Sequence, residues 1–134
     1  MKILIAEDDL SSRRLLYKFL SNYGECDIVV DGLEALDAFL ISLKEKKPYD
    51  LICLDIMMPK VDGVKVLKHM KGLEAQYKIP EEKRSKIIMT TALAETEIIL
   101  DTFELGCDAY AAKPLDLDKF VGVLQKLKLI ENKP

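Results

Sequence analysis

The sequence predicts an α/β fold with a doubly wound, five-stranded parallel sheet and five helices. Short apolar runs alternate with stretches whose apolar residues recur at helical spacing. This alternation requires right-handed crossovers and puts helices on both faces of the sheet. The runs LICL and KIIM lack the polar alternation of a half-exposed strand, which indicates burial under two helical layers. The expected core is Ile3, Leu4, Ile5, Leu51, Ile52, Leu54, Ile87, Ile88 and Met89.

The strands are predicted from apolar runs bounded by turn residues. KILIA opens the chain, and Pro48 precedes the third run, which ends with LICLD. KIIMT follows a polar stretch, and the weaker run CDAYAA follows Gly106, which suits a left-handed helix cap. The predicted strands are residues 2–6, 25–30, 49–55, 86–90 and 107–112.

The helices are predicted between these strands. Leu16 and Leu20 share a face of the first helix, which begins at Ser11 and closes at Gly24. Asp62-Gly63 marks a loop before the third helix. The remaining helices are predicted at residues 32–46, 94–105 and 116–129, the last of them opened by Asp116.

Composition limits the possible functions. A chain of 134 residues with 49% hydrophobic and 32% charged residues fits one globular domain, residues 1–134. The apolar runs are too short to span a membrane, and a strand pattern begins at residue 2, so we expect a cytoplasmic protein without membrane insertion. A net charge of −3 gives no basic surface for direct nucleic-acid binding. The three cysteines form no CxxC pair, which argues against zinc and disulfides.

Polar side chains follow four of the predicted strands. They are Glu7 and Asp8, Asp55, Thr91, and Lys113. The carboxyl ends of parallel strands meet at one edge of the sheet, where ligands bind in open α/β folds. Carboxylates suit a divalent cation, whereas lysine and threonine can contact phosphate oxygens. The set therefore favours metal-assisted phosphoryl transfer onto a carboxylate.

Each of these residues also has a purely structural explanation. Acidic residues after a strand often cap a helix, and Asp55 could accept a hydrogen bond in a turn. Thr91 could cap a helix, and Lys113 with the proline after it could simply end a strand. Their joint occurrence at successive strand ends favours a functional site.

The motifs KILIAEDD, LDIMMPKVDG, TTALA and YAAKPL, in this order and spacing, resemble the receiver domain of bacterial two-component response regulators. The resemblance covers nearly all of the chain. It implies a flavodoxin-like fold with strand order 2-1-3-4-5. It also implies that Asp55 accepts a phosphoryl group from a sensor histidine kinase, a phosphotransfer protein or a small phosphodonor.

The resemblance implies a Mg²⁺ site. Asp8 and Asp55 would be direct ligands, Glu7 would act through a bound water, and the backbone carbonyl of Met57 would complete the protein ligands. The cation would reduce the repulsion between Asp55 and an anionic phosphodonor. Asp9 is expected to lie outside the metal's inner shell.

The resemblance also implies a switch. Lys113 and Thr91 would contact phosphoryl oxygens, and a cis peptide bond before Pro114 would aim the lysine. Movement of Thr91 would let Tyr110 turn inward and reshape the face formed by helix 4, strand 5 and helix 5. A constitutively half-buried Tyr110 is the structural alternative.

The expected organisation is a stand-alone regulator resembling chemotaxis regulators, without an output domain in this chain. A downstream protein target would then receive the signal, through a monomer or a phosphorylation-dependent dimer. A phosphorelay intermediate and a domain cut from a longer protein remain alternatives.

Three further features bear on function. Residues 74–86 form a longer polar segment than is usual before the fourth strand, either a helix extension or a partner contact. The resemblance implies that Met57 and Leu93 flank the site; both are apolar here and could restrict an attacking water, which predicts slow self-dephosphorylation. His69 is expected to be a solvated surface residue without a role.

Two other functions are compatible with part of this pattern. A Mg²⁺-dependent phosphohydrolase could use an aspartate nucleophile, but such enzymes carry a second acid two residues later, where this chain has Met57. A pseudo-receiver would keep the fold as a binding module without phosphorylation. The presence of all the required side chains disfavours it.

Overall fold

The computed structural model describes residues 1–92 and 96–131. The strands are β1 (Lys2–Ala6), β2 (Glu25–Val29), β3 (Leu51–Asp55), β4 (Lys86–Thr91) and β5 (Ala109–Ala112). They form one sheet in the order β2-β1-β3-β4-β5, and every pair of neighbours is parallel. The predicted fold class and strand order are confirmed.

Helices cover both faces of this sheet. They are α1 (Leu10–Leu20), α2 (Gly32–Lys44), α3 (Gly63–Gln76), α4 (Thr96–Glu104) and α5 (Leu117–Lys126). Buried residues of α1 and α5 pack on one face, and buried residues of α2 and α3 pack on the other. None of the helices in the described ranges is long and apolar enough to cross a bilayer.

The sheet interior is buried on both sides. All five residues of β3, the central strand, are buried. The nine predicted core residues have no exposed surface at all. Burying an aliphatic side chain of this size contributes about 1.5–3 kcal/mol to stability, so these strands fix the position of everything attached to their ends.

Aspartates begin four of the helices. Asp9, Asp31, Asp62 and Asp116 are the N-caps of α1, α2, α3 and α5. Each carboxylate accepts a hydrogen bond from the backbone N–H three residues later, at 2.9–3.2 Å. The caps satisfy N–H groups that have no partner inside the helix.

Left-handed residues end four helices. Gly106 (φ 104°) follows α4, as predicted, but Lys46 (φ 59°), Lys78 (φ 54°) and Lys128 (φ 60°) follow α2, α3 and α5. The N–H groups of these residues and their successors bond back to carbonyls of the last helical turn. The lysine charge is favourable near the helix C-terminus, whereas the left-handed backbone is unfavourable for any residue with a Cβ.

The predicted end of the last helix was wrong. The pattern predicted residues 116–129, but α5 ends at Lys126 because the chain turns into the left-handed region at Lys128. The predicted start of the fourth helix, Ala94, lies outside the described residues.

The predicted start of the last strand was also wrong. It was expected at Cys107, but β5 begins at Ala109. The side chain of Asp108 accepts the N–H of Ile87 at 2.8 Å and so replaces a backbone carbonyl of the ladder at this rung. The other predicted strand bounds agree to within two residues.

The polar segment before β4 begins as helix. α3 continues to Gln76, and one turn of 3₁₀-helix, Glu81–Lys83, follows. The buried carboxylate of Glu74 accepts the N–H of Ser85 at 2.9 Å and pairs with Lys71 at 3.2 Å. These contacts hold the two ends of this polar segment together.

Replacing a left-handed lysine by glycine is expected to stabilise the fold. Lys78→Gly should raise the free energy of unfolding by about 0.5–1 kcal/mol, because relief of backbone strain exceeds the entropy lost by glycine. Urea denaturation measures the change. Lys44→Gly, inside the last turn of α2, is the control and should destabilise by about 1 kcal/mol. Equal losses in both variants would contradict the expectation.

Candidate functional site

Polar residues stand at the carboxyl ends of four of the parallel strands, along one edge of the sheet. Glu7 follows β1, Asp55 ends β3, Thr91 ends β4 and Lys113 follows β5. The register pairs Thr91 with Ala112, the residue before Lys113. The structure therefore brings together the residues that the sequence placed at strand ends.

Three carboxylates form the acidic part of the site. Glu7, Asp8 and Asp55 each offer an oxygen, and these oxygens lie within 4.8 Å of one another. Glu7 and Asp55 are buried, whereas Asp8 is exposed. An all-oxygen donor set that opens to solvent on one side suits a hard divalent cation that keeps several of its waters. The side chains present therefore fit a Mg²⁺ ion.

One lysine balances part of this charge. The Lys113 ammonium lies 2.6 Å from Oε1 of Glu7 and 3.1 Å from Oδ2 of Asp55. Its side chain starts beyond β5 and crosses the end of β4 to reach the central strands. The backbone N–H of Lys113 donates to the carbonyl of Thr91 at 2.8 Å, and the peptide bond to Pro114 is cis, as predicted.

The backbone around Asp55 is held by close contacts. Its Oδ1 accepts the N–H of Met57 at 3.2 Å, and the carbonyl of Ile56 accepts the N–H of Gly63 at 2.8 Å. A Cβ on Gly63 would lie 2.1 Å from the carbonyl oxygen of Asp55. Only glycine therefore lets α3 begin this close to the backbone of Asp55.

The site is electrostatically strained. Burial, the largest cause, and the neighbouring Glu7 carboxylate raise the pKa of Asp55 to about 6, although Lys113 opposes this shift. Desolvation and the hydrogen bond and charge of Asp55 also raise the pKa of Asp8. Desolvation lowers the pKa of Lys113, but its hydrogen bonds and charge interactions with Glu7 and Asp55 outweigh that effect and raise the pKa overall. Negative charge therefore exceeds positive charge at this edge.

Asp9 has a structural role. It caps α1 by accepting the N–H of Ser12 at 2.9 Å, which lowers the pKa of its carboxyl. Its backbone N–H donates to Oε2 of Glu7 at 3.2 Å. Asp9 thus orients Glu7 while its own carboxylate faces the helix.

Sequence reasoning missed the contacts that hold the β3–α3 loop. The buried carboxylate of Asp31 pairs with Lys60 at 3.3 Å, and the N–H of Gly32 donates to the carbonyl of Pro59 at 3.3 Å. A Cβ on Gly32 would lie 2.0 Å from the carbonyl oxygen of Val61. Glycine directly after a helix-capping aspartate was the available signal, but the loop that approaches it cannot be identified from one sequence.

The remaining predicted residues lie around the site or away from it. Met57 is 61% exposed, and Leu93 lies outside the described residues. Tyr110 is 42% exposed and packs edge-on against Phe103, with ring centroids 6.3 Å apart. His69 is exposed on α3.

Comparison with known proteins identifies the family. The profile of the response regulator receiver domain matches residues 3–125. Sporulation initiation phosphotransferase F of Bacillus subtilis is 33% identical over 126 residues, which are 93% of this chain and 91% of that protein. This chain belongs to the response regulator receiver domain family.

Solved structures agree with this assignment. The receiver domain of the histidine kinase CKI1 from Arabidopsis thaliana, solved in complex with Mg²⁺ and BeF₃⁻, matches with a TM-score of 0.82 at 25% identity. The match covers 95% of this chain and 89% of that one.

The chain spans different shares of its relatives. The probable transcriptional regulator ycf29 of Porphyra purpurea is 29% identical over 126 residues, which are 93% of this chain but 55% of that protein. The chain thus spans about half of this relative and most of phosphotransferase F.

Neutralising the Asp55 carboxylate is expected to stabilise the metal-free fold. Because the pKa of Asp55 is higher folded than unfolded, the folded state binds more protons between about pH 4 and 6, and stability falls as pH rises through this window. Asp55→Asn should therefore gain about 1–3 kcal/mol at pH 7 and little below pH 4.

Urea denaturation in EDTA across this pH range measures the gain. Asp62→Asn is the control, since asparagine caps a helix as well as aspartate, and it should leave stability nearly unchanged. A destabilised Asp55→Asn protein at pH 7 would show that the carboxylate is well paired rather than strained.

Proposed function

We propose that this chain is a phosphoaccepting receiver of a two-component system. Asp55 takes a phosphoryl group from a histidine kinase, a phosphotransfer protein or a small phosphodonor, and the modified domain signals to a protein partner. The observation that carries the proposal is the buried Asp55 carboxylate, placed beside two further carboxylates and within 3.1 Å of the Lys113 ammonium. The family membership supports it.

The reaction is a single displacement at phosphorus. A carboxylate oxygen of Asp55 forms the new P–O bond, and the bond from phosphorus to the donor breaks, with its electron pair leaving on the donor. With a pKa of about 6, Asp55 is mainly ionised at neutral pH and is available as the nucleophile. The chain is the acceptor in this reaction and does not turn over a substrate as a phosphohydrolase would.

Two side chains of the site meet the phosphoryl oxygens. Lys113 provides a compact ammonium group beside Asp55. It would exchange part of its charge interaction with Asp55 for one with the transferred phosphoryl group. Thr91, 1% exposed at the end of β4, supplies a hydroxyl to a second oxygen.

A magnesium ion belongs to the proposal. Asp8 and Asp55 would hold it directly, Glu7 through a water, and the carbonyl of Met57 would complete the set. Bound there, the ion supplies positive charge that offsets the repulsion between carboxylates and phosphodonor. Binding through a water suits Glu7 because its Oε1 already lies 2.6 Å from the Lys113 ammonium.

The signal is proposed to leave through the face of α4, β5 and α5. Tyr110 now points outward against Phe103, and a cavity of about 330 Å³ lies beside it between β5 and α5. When Thr91 moves to the phosphoryl group, Tyr110 turns inward. Phe103 then loses its aromatic neighbour and this surface changes shape.

The remaining expectations stay predictions. They are a cytoplasmic location, a downstream protein target without direct nucleic-acid binding, and a monomer or phosphorylation-dependent dimer. The boundary of the single domain and the absence of an output domain are likewise proposals.

Incubation with acetyl phosphate and Mg²⁺ is expected to add one phosphoryl group. Intact-protein mass spectrometry should show the adduct, and peptide mapping should place it on Asp55. EDTA and Asp55→Asn should each abolish it, and Asp62→Asn should not. Absence of the adduct, together with failure to bind beryllofluoride with Mg²⁺, would favour the pseudo-receiver.

Met57 is expected to slow loss of the phosphoryl group. Its exposed apolar side chain beside Asp55 restricts the approach of water, so Met57→Ala should shorten the lifetime of the adduct by a few-fold. The decay of purified phosphoprotein measures this effect, with Met57→Leu as the control of similar bulk. Rapid decay of the unaltered protein would contradict slow self-dephosphorylation.

A further inference from the structure

Thr90 is a buried polar residue that the proposed mechanism leaves unused. It lies next to last in β4 and has no exposed surface. Its hydroxyl oxygen has no hydrogen-bond partner among the described residues. An unpaired buried hydroxyl destabilises a folded protein, so its presence beside a functional site calls for an explanation.

The strand register places Thr90 beside the phosphoacceptor. Thr90 pairs with Asp55 on one side and with Ala111 on the other, and its carbonyl accepts the N–H of Ile56 at 3.1 Å. Registered residues of neighbouring parallel strands point to the same face, and the strands lie about 4.8 Å apart. Thr90 and Asp55 are therefore side by side on one face.

Alternation along β4 separates the two adjacent threonines. Ile88 packs with buried residues of α1 and α5, and Thr90, two residues later, points to that same face. Thr91 is the next residue in the strand and therefore points to the opposite face of the sheet. Two hydroxyls thus stand at the end of one strand, and Thr90 is the one that shares the face of Asp55.

Lys113 links Thr90 to the reaction. Its side chain crosses the end of β4 to bring the ammonium to Oδ2 of Asp55, while Oδ1 accepts the N–H of Met57. Both carboxylate oxygens therefore have donors while Lys113 stays in place. When the ammonium moves to the phosphoryl oxygens, Oδ2 loses its donor.

We infer that Thr90 is a positioning residue for phosphoryl transfer, an inference that rests on the proposed function. As Lys113 turns to the phosphoryl group, the Thr90 hydroxyl donates a hydrogen bond to Oδ2 of Asp55 and keeps the carboxylate oriented. The Thr90 hydroxyl has no partner in the resting state, in which Oδ2 accepts from Lys113, and departure of Lys113 leaves Oδ2 free to accept from Thr90. Thr91 contacts the phosphoryl group, whereas Thr90 acts through Asp55.

The test compares rates of adduct formation with acetyl phosphate and Mg²⁺, followed by intact-protein mass spectrometry. Thr90→Val keeps the shape of the side chain and removes the hydroxyl. It should slow phosphorylation by about 2- to 10-fold, the effect of one hydrogen bond, while thermal stability stays the same or rises. Thr90→Ser keeps the hydroxyl and should restore the rate to within about twofold, even though its lost methyl group lowers stability.

Ser85→Ala is the matched control. The hydroxyl of Ser85 is also buried without a hydrogen-bond partner, but it lies just before β4, at the opposite edge of the sheet. Its removal should leave the phosphorylation rate unchanged.

The outcomes separate the two proposals. An adduct on the unaltered protein with an unchanged rate for Thr90→Val would overturn the positioning role alone. Equal slowing in Thr90→Val and Thr90→Ser would also overturn it, because packing would then explain the loss. No adduct on the unaltered protein would overturn the proposed function and this inference with it.

Discussion

Repulsion among the carboxylates of Glu7, Asp8 and Asp55 is the constraint on which this structure depends. Two unit charges about 4 Å apart near a protein surface repel by about 4 kcal/mol, and two of these three groups are buried. Lys113 offsets part of the repulsion by crossing β4 to contact Glu7 and Asp55. Burial of Asp55, together with the part of the Glu7 repulsion that Lys113 does not offset, keeps the pKa of Asp55 raised. The edge of the sheet therefore suits a cation, and the buried strands supply the stability that this arrangement removes.

Geometry at this edge is held by backbone contacts more than by side chains. Gly63 lets α3 begin against the carbonyl of Asp55, and Gly32 lets the β3–α3 loop contact the start of α2. Asp31 caps α2 and also pairs with Lys60 of that loop. The loop that carries Met57 is therefore anchored on two helices. A small displacement of Asp55 would have to move whole elements, which keeps its carboxylate in a fixed place among the other groups of the site.

The sequence predicted the elements well where local signals were strong. Apolar runs identified the strands, and strand ends identified which polar residues lie together at the candidate site, because parallel strands must share one carboxyl edge. Prediction failed at the ends of two elements. The Asp108 carboxylate takes the place of a backbone acceptor in the ladder, so β5 begins later than predicted. Lys128 adopts a left-handed conformation that is usually signalled by glycine, so α5 ends earlier than predicted. The position of Thr90 beside Asp55 was missed because it depends on the exact register, which one sequence does not give.

The segment between α3 and β4 has a consequence for protein engineering. The Glu74 carboxylate, at the start of this segment, accepts the N–H of Ser85 at its end. The stretch between Glu74 and Ser85 is therefore a closed loop, and its length does not determine where β4 begins. Doubling such a loop costs only about 0.6 kcal/mol of closure entropy. The loop leads into the amino end of β4, whereas Asp55 ends its own strand at the carboxyl edge. Residues 77–84 therefore offer a place where a reporter or a binding peptide could be grafted without disturbing the carboxyl edge that holds Asp55.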